Sequence, residues 1–261
     1  MNSEHVKASE EFYKRSYSNR YNHWRKYYSV RKAIFQELNK APAQKLIKIL
    51  DIGCSTGWLM HLLALEFGDK FSLQFFGIDL SPSYISAAQQ QYADCGKYHF
   101  QVMDANEMGF TNEEFDIVIC SEVIEHMKNP VQVLNNIYRI LAGNGVLILT
   151  TPNEGGGVLP KSLKKLRRKP GPGRLGEKDS CLTEQGYGHI SIKAKSEWAS
   201  FFKQAGLTTE AVEGTGGLLF GNLEFDQHRI IFAIAMLLDV ILEKFPWSYC
   251  WSEGLLFKLR K

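Results

Sequence analysis

The sequence predicts an α/β fold: a mostly parallel, doubly wound sheet with helices on both faces. Two observations predict it. From residue 46 onward, short apolar runs rich in β-branched residues alternate with helical segments. The first of these runs ends in Asp51-Ile-Gly53 and leads straight into a helical pattern. Alternating strands and helices bury both faces of a sheet, so its strands read as continuous apolar runs.

The elements follow in order. Tyr13, Tyr17, Tyr21, Trp24, Tyr28 and Phe35 recur at helical spacing, with basic residues on the other faces. This predicts an amphipathic helix, in one or two pieces, over about residues 8–39. It would form an N-terminal helical cap, residues 1–45, ahead of a domain spanning 46–261. Leu46–Ile52 is the first strand and Trp58–Phe67 the helix after it. Gln74–Asp79 is the second strand, and Ser81-Pro82 opens a helix with an N-cap serine and a proline in the first turn. Tyr98–Met103 and Phe115–Ser121 are strands three and four. Val131–Leu141 is a helix stopped near Gly143, and Val146–Thr151 is the fifth strand, stopped by Pro152. Ser196–Ala205 is a helix, Leu207–Val212 a strand, 224–244 mostly helix, and Gly254–Arg260 a closing strand.

Composition sets outer limits. The 261 residues are 44% hydrophobic and 23% charged, which is globular and excludes collagen-like, wholly disordered and disulfide-scaffold classes. Net charge is +3, too balanced to indicate nucleic acid by itself. Seven basic residues and no acidic one fall between Lys161 and Arg174, inside a Gly- and Pro-rich loop at 154–180. Such a loop is either a solvated surface segment or a contact for an acidic acceptor or an anionic membrane. The five cysteines, Cys54, Cys95, Cys120, Cys181 and Cys250, form no C-x-x-C pair, and no apolar leader opens the chain. Both features point to a reduced, cytoplasmic protein. Ile230–Leu242 is apolar apart from Asp239, but shorter than the roughly 20 residues a bilayer needs. It suits a buried helix or one lying at a membrane surface.

The chemistry concentrates in Asp51-Ile-Gly53-Cys54-Ser55-Thr-Gly57, a strand–turn–helix junction. Glycines there allow a ligand close to the backbone, over the N-terminus of the next helix. A dinucleotide fingerprint fails, because Ser55 and Trp58 stand where its later glycines belong. A nucleophile elbow G-x-S-x-G matches literally through Ser55. It lacks the preceding strands and the Gly-rich oxyanion segment that such enzymes need.

The order D-x-G-x-x-x-G, Gly77-Ile-Asp79-Leu80-Ser81, Met103-Asp104-Ala105, Phe115 to His126, and Leu141 to Pro152 resembles class I S-adenosylmethionine-dependent methyltransferases. Ser55 stands where many members have glycine. The resemblance implies a Rossmann-like seven-stranded sheet with one antiparallel strand near the C-terminus. It also implies that Asp51 and Gly53 face the methionine end of S-adenosylmethionine, with Cys54, Ser55 and Gly57 as further cofactor-binding positions. Asp79 would meet the ribose and Asp104 the adenine, with Leu80, Ala105 and Ser121 as further cofactor-binding positions.

After the fourth strand come Glu122, Glu125 and His126. On a helical turn, offsets of three and four would bring all three to one face. Two carboxylates and an imidazole suit a divalent ion. His189, after the basic loop, is a candidate fourth ligand. This Glu-x-x-Glu-His pattern resembles small-RNA 2′-O-methyltransferases and quinone-biosynthesis O-methyltransferases, which implies Mg, Mn or Zn as a possible cofactor. The same residues read equally as metal-free catalytic groups, with His126 or His189 as base.

The expectation is an enzyme, a methyltransferase acting on a hydroxyl of a small-molecule, glycan or lipid-linked acceptor. Peripheral membrane contact fits the basic loop and the apolar helix, and nucleic acid fits less well. The competing readings are an RNA or N-methyltransferase, a non-catalytic S-adenosylmethionine-binding protein, and a nicotinamide oxidoreductase.

Overall fold

The structure, a computed structural model, describes residues 21–92, 96–154, 192–215 and 254–261, with 234, 237, 238, 241, 245 and 252. The elements are α1 (Tyr21–Leu38), β1 (Ile47–Ile52), α2 (Trp58–Phe67), β2 (Leu73–Asp79), α3 (Pro82–Tyr92), β3 (Tyr98–Val102) and β4 (Phe115–Ser121). They continue as α4 (Pro130–Ile140), β5 (Leu141–Pro152), α5 (Lys195–Gln204), β6 (Thr208–Thr215) and β7 (Gly254–Arg260).

Seven strands form one sheet in the order β3-β2-β1-β4-β5-β7-β6. β7 runs antiparallel to both neighbours, and the other pairings are parallel. The expected architecture, including its single antiparallel strand, is therefore present. β1 sits centrally, between β2 and β4. Sequence order runs outward in one direction from it and then restarts on its other side. This topological switch opens a crevice at the carboxyl ends of β1 and β4, where an open α/β sheet binds its ligand.

Both faces of the sheet are buried. Along β4, Ile117 and Ile119 enter one core while Val118 and Cys120 enter the other. The first core holds α1 and α2 through Val30, Ile34, Met60 and Leu63. The second holds α4 and α5 through Leu134, Ile137, Trp198 and Phe202.

Several boundaries differ from the sequence reading. The buried row of α1 is Tyr27, Val30, Ile34 and Leu38, one position off the expected aromatic stripe. Phe35 is 38% exposed and stacks on Phe67, while the Arg31 guanidinium lies near the rings of Tyr28 and Phe67. Aliphatic side chains fill the core against the sheet, and the aromatics pack with a cation at its margin. β5 starts at Leu141, which pairs with Phe115, and not at Val146. The Gly143–Gly145 segment is absorbed as an irregularity, with Asn144 left-handed at φ 70°.

Residues 234, 237, 238 and 241 are helical. Their spacing puts them on one face, and all four are exposed. Among the described residues, no helix is long and apolar enough to cross a membrane. The expected loop at 154–180 lies outside the described residues beyond Glu154, as do His189 and most of 224–244.

Candidate active site

The site begins with a backbone turn that few residues can make. Gly53, Ser55 and Gly57 all adopt left-handed conformations, at φ 72°, 50° and 77°. A Cβ on Gly53 would come within 2.4 Å of Val123, and one on Gly57 within 2.6 Å of the Phe100 ring. Conformation and space therefore both demand glycine at these two positions. Gly53 and Cys54 donate their N–H groups to the Ile78 carbonyl, at 2.8 and 3.0 Å, which ties the turn to β2.

Asp79 ends β2 beside this turn. Its two carboxylate oxygens accept N–H bonds from Ser55 at 3.0 Å and Ser81 at 2.9 Å. Burial raises its pKa, and those two bonds oppose the shift. Leu80, next to it, is 46% exposed at the crevice. Asp51 ends β1 and is only 4% exposed. Burial first, and then the neighbouring Asp79 charge, push its carboxyl up to about 8. An acid this uncomfortable as an anion is poised for a cationic ligand.

Asp104 follows β3 and has a structural task of its own. Its Oδ1 accepts from the N–H and side-chain amide of Asn106, both at 2.8 Å, and so caps the short turn Ala105–Glu107. Ala105 is buried beneath it.

The turn after β4 behaves differently from the expected one. Ser121 shares a 2.9 Å hydroxyl contact with Thr150. Glu122 is left-handed at φ 57° and donates its N–H to the Thr150 carbonyl at 3.0 Å. The helical turn that follows covers only Ile124–His126 and is of the tighter three-residue kind. Glu122 therefore stands outside it, and the α-helical offsets that would align Glu122, Glu125 and His126 do not apply. Among the described residues, no three His, Cys, Asp or Glu side chains gather to hold a metal ion. Glu122, Glu125 and His126 are thus not gathered as a ligand set among the described residues, and His189, the expected fourth ligand, lies outside them.

Glu122 instead pairs with Lys26 of α1. Glu125 is fully buried, and neither of its oxygens has a hydrogen-bond partner among the described residues. Burial, and then the charge of Glu122, raise its carboxyl to about 8, against the pull of Lys26.

Part of this set lines one cavity of ≈ 200 Å³, whose wall does not include Asp79, Leu80, Asp104, Ala105, Glu125 or His126. The first strand and its turn supply Asp51, Gly53, Cys54, Ser55 and Thr56, and α2 supplies Trp58 and Leu59. The end of β4 supplies Ser121, Glu122 and Val123. Lys26, Tyr27 and Val30 of α1 complete the wall. Sequence reasoning missed these α1 residues and Trp58. Nothing local marks Lys26, whose partner lies 96 positions away. Trp58 could have been found from its place directly after the glycine turn.

Comparison with known proteins agrees with this geometry. Residues 43–206 match a family described as a methyltransferase domain. The chain belongs to this methyltransferase family. Its fold and motif order are those of the class I S-adenosylmethionine-dependent enzymes. The chain is 29% identical over 115 residues to the ubiquinone biosynthesis O-methyltransferase of Psychrobacter arcticus, covering 44% of this chain and 43% of that one. It is 32% identical over 111 residues to the chloroplastic tocopherol O-methyltransferase of Arabidopsis thaliana, covering 41% and 31%. The matched segment is thus less than half the length of these relatives. Among solved structures, the fold matches Haemonchus contortus phosphoethanolamine N-methyltransferase 2 bound to S-adenosyl-L-methionine. That match has a TM-score of 0.58 at 22% identity, over 88% of this chain and 52% of that one. It also matches an S-adenosylmethionine-dependent methyltransferase from Aquifex aeolicus, at 0.51 and 12% identity over 88% of each chain. At such identities the likeness speaks for the fold.

The residues present fit the family's cofactor. The glycine turn offers a cradle, buried Asp51 a carboxyl that a cation would hold ionised, and Asp79 a carboxylate beside the turn. Two buried polar atoms of the cavity residues, Ser55 Oγ and Trp58 Nε1, have no partner among the described residues.

Proposed function

We propose that the protein transfers a methyl group from S-adenosylmethionine to the hydroxyl of a small-molecule, glycan or lipid-linked acceptor. One observation carries this reading. The glycine turn with Asp51 and the carboxylate of Glu122 wall the same cavity. A group able to receive the acceptor's proton therefore shares a chamber with the cofactor cradle. S-adenosylmethionine, when bound, supplies an electrophilic methyl on a sulfonium. The residues of the chain orient it, exclude water and take the proton. The Gly53–Gly57 turn and Asp79 do the first, and α1 closes the wall through Tyr27 and Val30. Glu122, held by Lys26, is the proton acceptor at the cavity wall. Proximity supplies most of the acceleration, since the sulfonium is already activated.

The relatives named for O-methylation support the choice of oxygen. The exposed helical positions Ile234, Leu237, Leu238 and Ile241, with the basic run from Lys161 to Arg174, suit an amphiphilic acceptor or an anionic membrane surface. The test is incubation with isotopically labelled S-adenosylmethionine and extracted lipids, glycans and small metabolites, followed by mass spectrometry. Label in a methyl ether from one of these fractions is expected. Label confined to amines or to RNA would replace this reading with another.

Among the described residues no three His, Cys, Asp or Glu side chains gather, and the reading takes Glu122 as proton acceptor. Full turnover after treatment with a chelator is expected. Loss of transfer with S-adenosylmethionine binding intact, restored by Mg²⁺, Mn²⁺ or Zn²⁺, would show that residues outside the described set complete a metal site.

A further inference from the structure

We infer that the segment joining β6 to β7 docks the protein on an anionic bilayer, with Ile234, Leu237, Leu238 and Ile241 set among the lipids. The basic run from Lys161 to Arg174 supplies the electrostatic attraction. The inference goes beyond methyl transfer and holds whichever hydroxyl receives the group.

The apolar side chains face the wrong way for a helix in water. Ile234, Leu237, Leu238 and Ile241 are helical, follow steps of three, one and three, and so share one face. That face is the outward one, with exposures between 39% and 61%. A surface helix ordinarily turns such residues to the core and its polar residues to solvent. Asp239, the one charge in the run Ile230–Leu242, falls off this row at helical spacing. Phe245, four positions past Ile241, is 45% exposed as well. Exposed apolar side chains gathered in this way mark a surface that meets a partner or a membrane.

The topology brings a matching charge to the same end of the sheet. Gly254, where β7 begins, pairs with Pro152 at the end of β5 and with Thr215 at the end of β6. The chain after Pro152 carries the basic run, and the chain between Thr215 and Gly254 carries the apolar face. Lys161 is nine residues past Pro152 and Phe245 nine before Gly254, so each lies within roughly 30 Å of that junction. The crevice opens at this end too. Seven basic residues without an acid attract anionic headgroups, and the rest of the chain carries a net charge of −4, so the run supplies the whole attraction. Trp247, Tyr249 and Trp251 come next in the sequence, and these residue types gather where lipid meets water. The thirteen residues Ile230–Leu242 are too few to cross a bilayer, so the docked segment lies along its surface. A second copy of the chain is the poorer occupant. It would bring the same positive run against its own. The five exposed side chains also fall short of the roughly 800 Å² per partner that a stable dimer needs.

The experiment is flotation of the full chain with vesicles of phosphatidylcholine alone and of phosphatidylcholine with about one-third phosphatidylglycerol. The wild-type protein should float with the anionic vesicles and bind the neutral ones at least about 10-fold more weakly. Leu237→Gln with Ile241→Gln should lower binding to the anionic vesicles about 100-fold, near 10-fold for each side chain removed from lipid. Its melting temperature should equal that of the wild type, because these side chains are exposed. Replacing Lys164, Lys165, Arg167 and Arg168 with Gln should lower binding to the anionic vesicles about 100-fold and leave the neutral ones unchanged. Absence of the wild-type protein from both vesicles would overturn the inference, as would flotation of the double variant at wild-type level. A lower melting temperature in the double variant would also overturn it, by showing that these side chains pack inside the protein. So would a wild-type dimer in sedimentation that the double variant disperses, since the face would then belong to a second copy. Each of these outcomes leaves the methyl-transfer reading untouched.

Discussion

Glu37 and Asp51 are both buried carboxylates, yet the protein treats them in opposite ways. Glu37, at the end of α1, is 8% exposed and pairs with Lys258, Lys40 and Arg260. Burial would raise its carboxyl, but the hydrogen bonds from those cations outweigh it and hold it at about 2. Asp51, at the crevice, is 4% exposed, and the charge acting on it is another acid, Asp79. Its carboxyl moves the other way, to about 8. The difference separates a structural charge from a functional one. The first carries its counter-ions within the fold and links α1 to β7. The second is left short of a cation, and the fold bears that cost for a ligand that brings one.

The largest expected effect tests this contrast directly. Glu37→Ala should destabilise the protein by about 3–5 kcal/mol in chemical denaturation, because it takes the nearer carboxylate from buried Lys258 and leaves it only Glu210 at 3.5 Å. Asp51→Asn should leave stability unchanged or raise it, and should weaken S-adenosylmethionine binding in calorimetry. Equal losses of stability in the two variants would erase the distinction.

Gly53→Ala comes next. The left-handed backbone and the clash with Val123 should together cost roughly 2–4 kcal/mol and remove cofactor binding. A variant of wild-type melting temperature that still binds the cofactor would show that the turn is not the cradle.

Asp79→Ala should cost about 1.5–3 kcal/mol of cofactor affinity by removing a charge-assisted acceptor. It also strips Ser55 and Ser81 of their N–H partner, so limited proteolysis should show a loosened turn. Unchanged calorimetric affinity would remove Asp79 from the ribose assignment.

The pH dependence sharpens the comparison with the smallest effect. Glu37 has a depressed pKa, so its stabilisation is present above the ordinary value of 4.5 and is lost as pH falls through about 2. That contribution is about 1–2 kcal/mol after allowance for solvent screening. Asp51 has a raised pKa, so its effect has the opposite sign. Stability is greatest below 3.8 and declines as pH rises toward about 8. Saturating S-adenosylmethionine should flatten the alkaline decline and leave the acid one in place. Thermal denaturation across both windows, with and without cofactor, measures this. A cofactor effect confined to the acid limb would contradict it.

The architecture was legible because buried strands carry their own signature. Ile47–Ile52 and Phe115–Ser121 are short apolar runs whose alternate residues enter two cores, so either run marks a sheet covered on both faces. The glycine turn was legible because its conformation restricts the residue type at each step. The helix face of α1 was not, since aromatic and aliphatic stripes lie one position apart and only the sheet decides which is buried.

The sequence by itself determined the strand–helix order, the glycine turn and the acids at or just past the ends of β1, β2 and β4, because each depends on neighbours a few residues away. The tertiary structure decided which groups meet. It set Lys26 on Glu122, gathered Trp58 and Ser55 around one cavity, and placed Glu122 outside the helical turn that carries Glu125 and His126. That last outcome turned on one left-handed residue and a tight turn of three. Contacts between residues 96 positions apart, and a change from one kind of helical turn to another, arise from packing energy summed over the whole sheet. No local pattern of residue types encodes them.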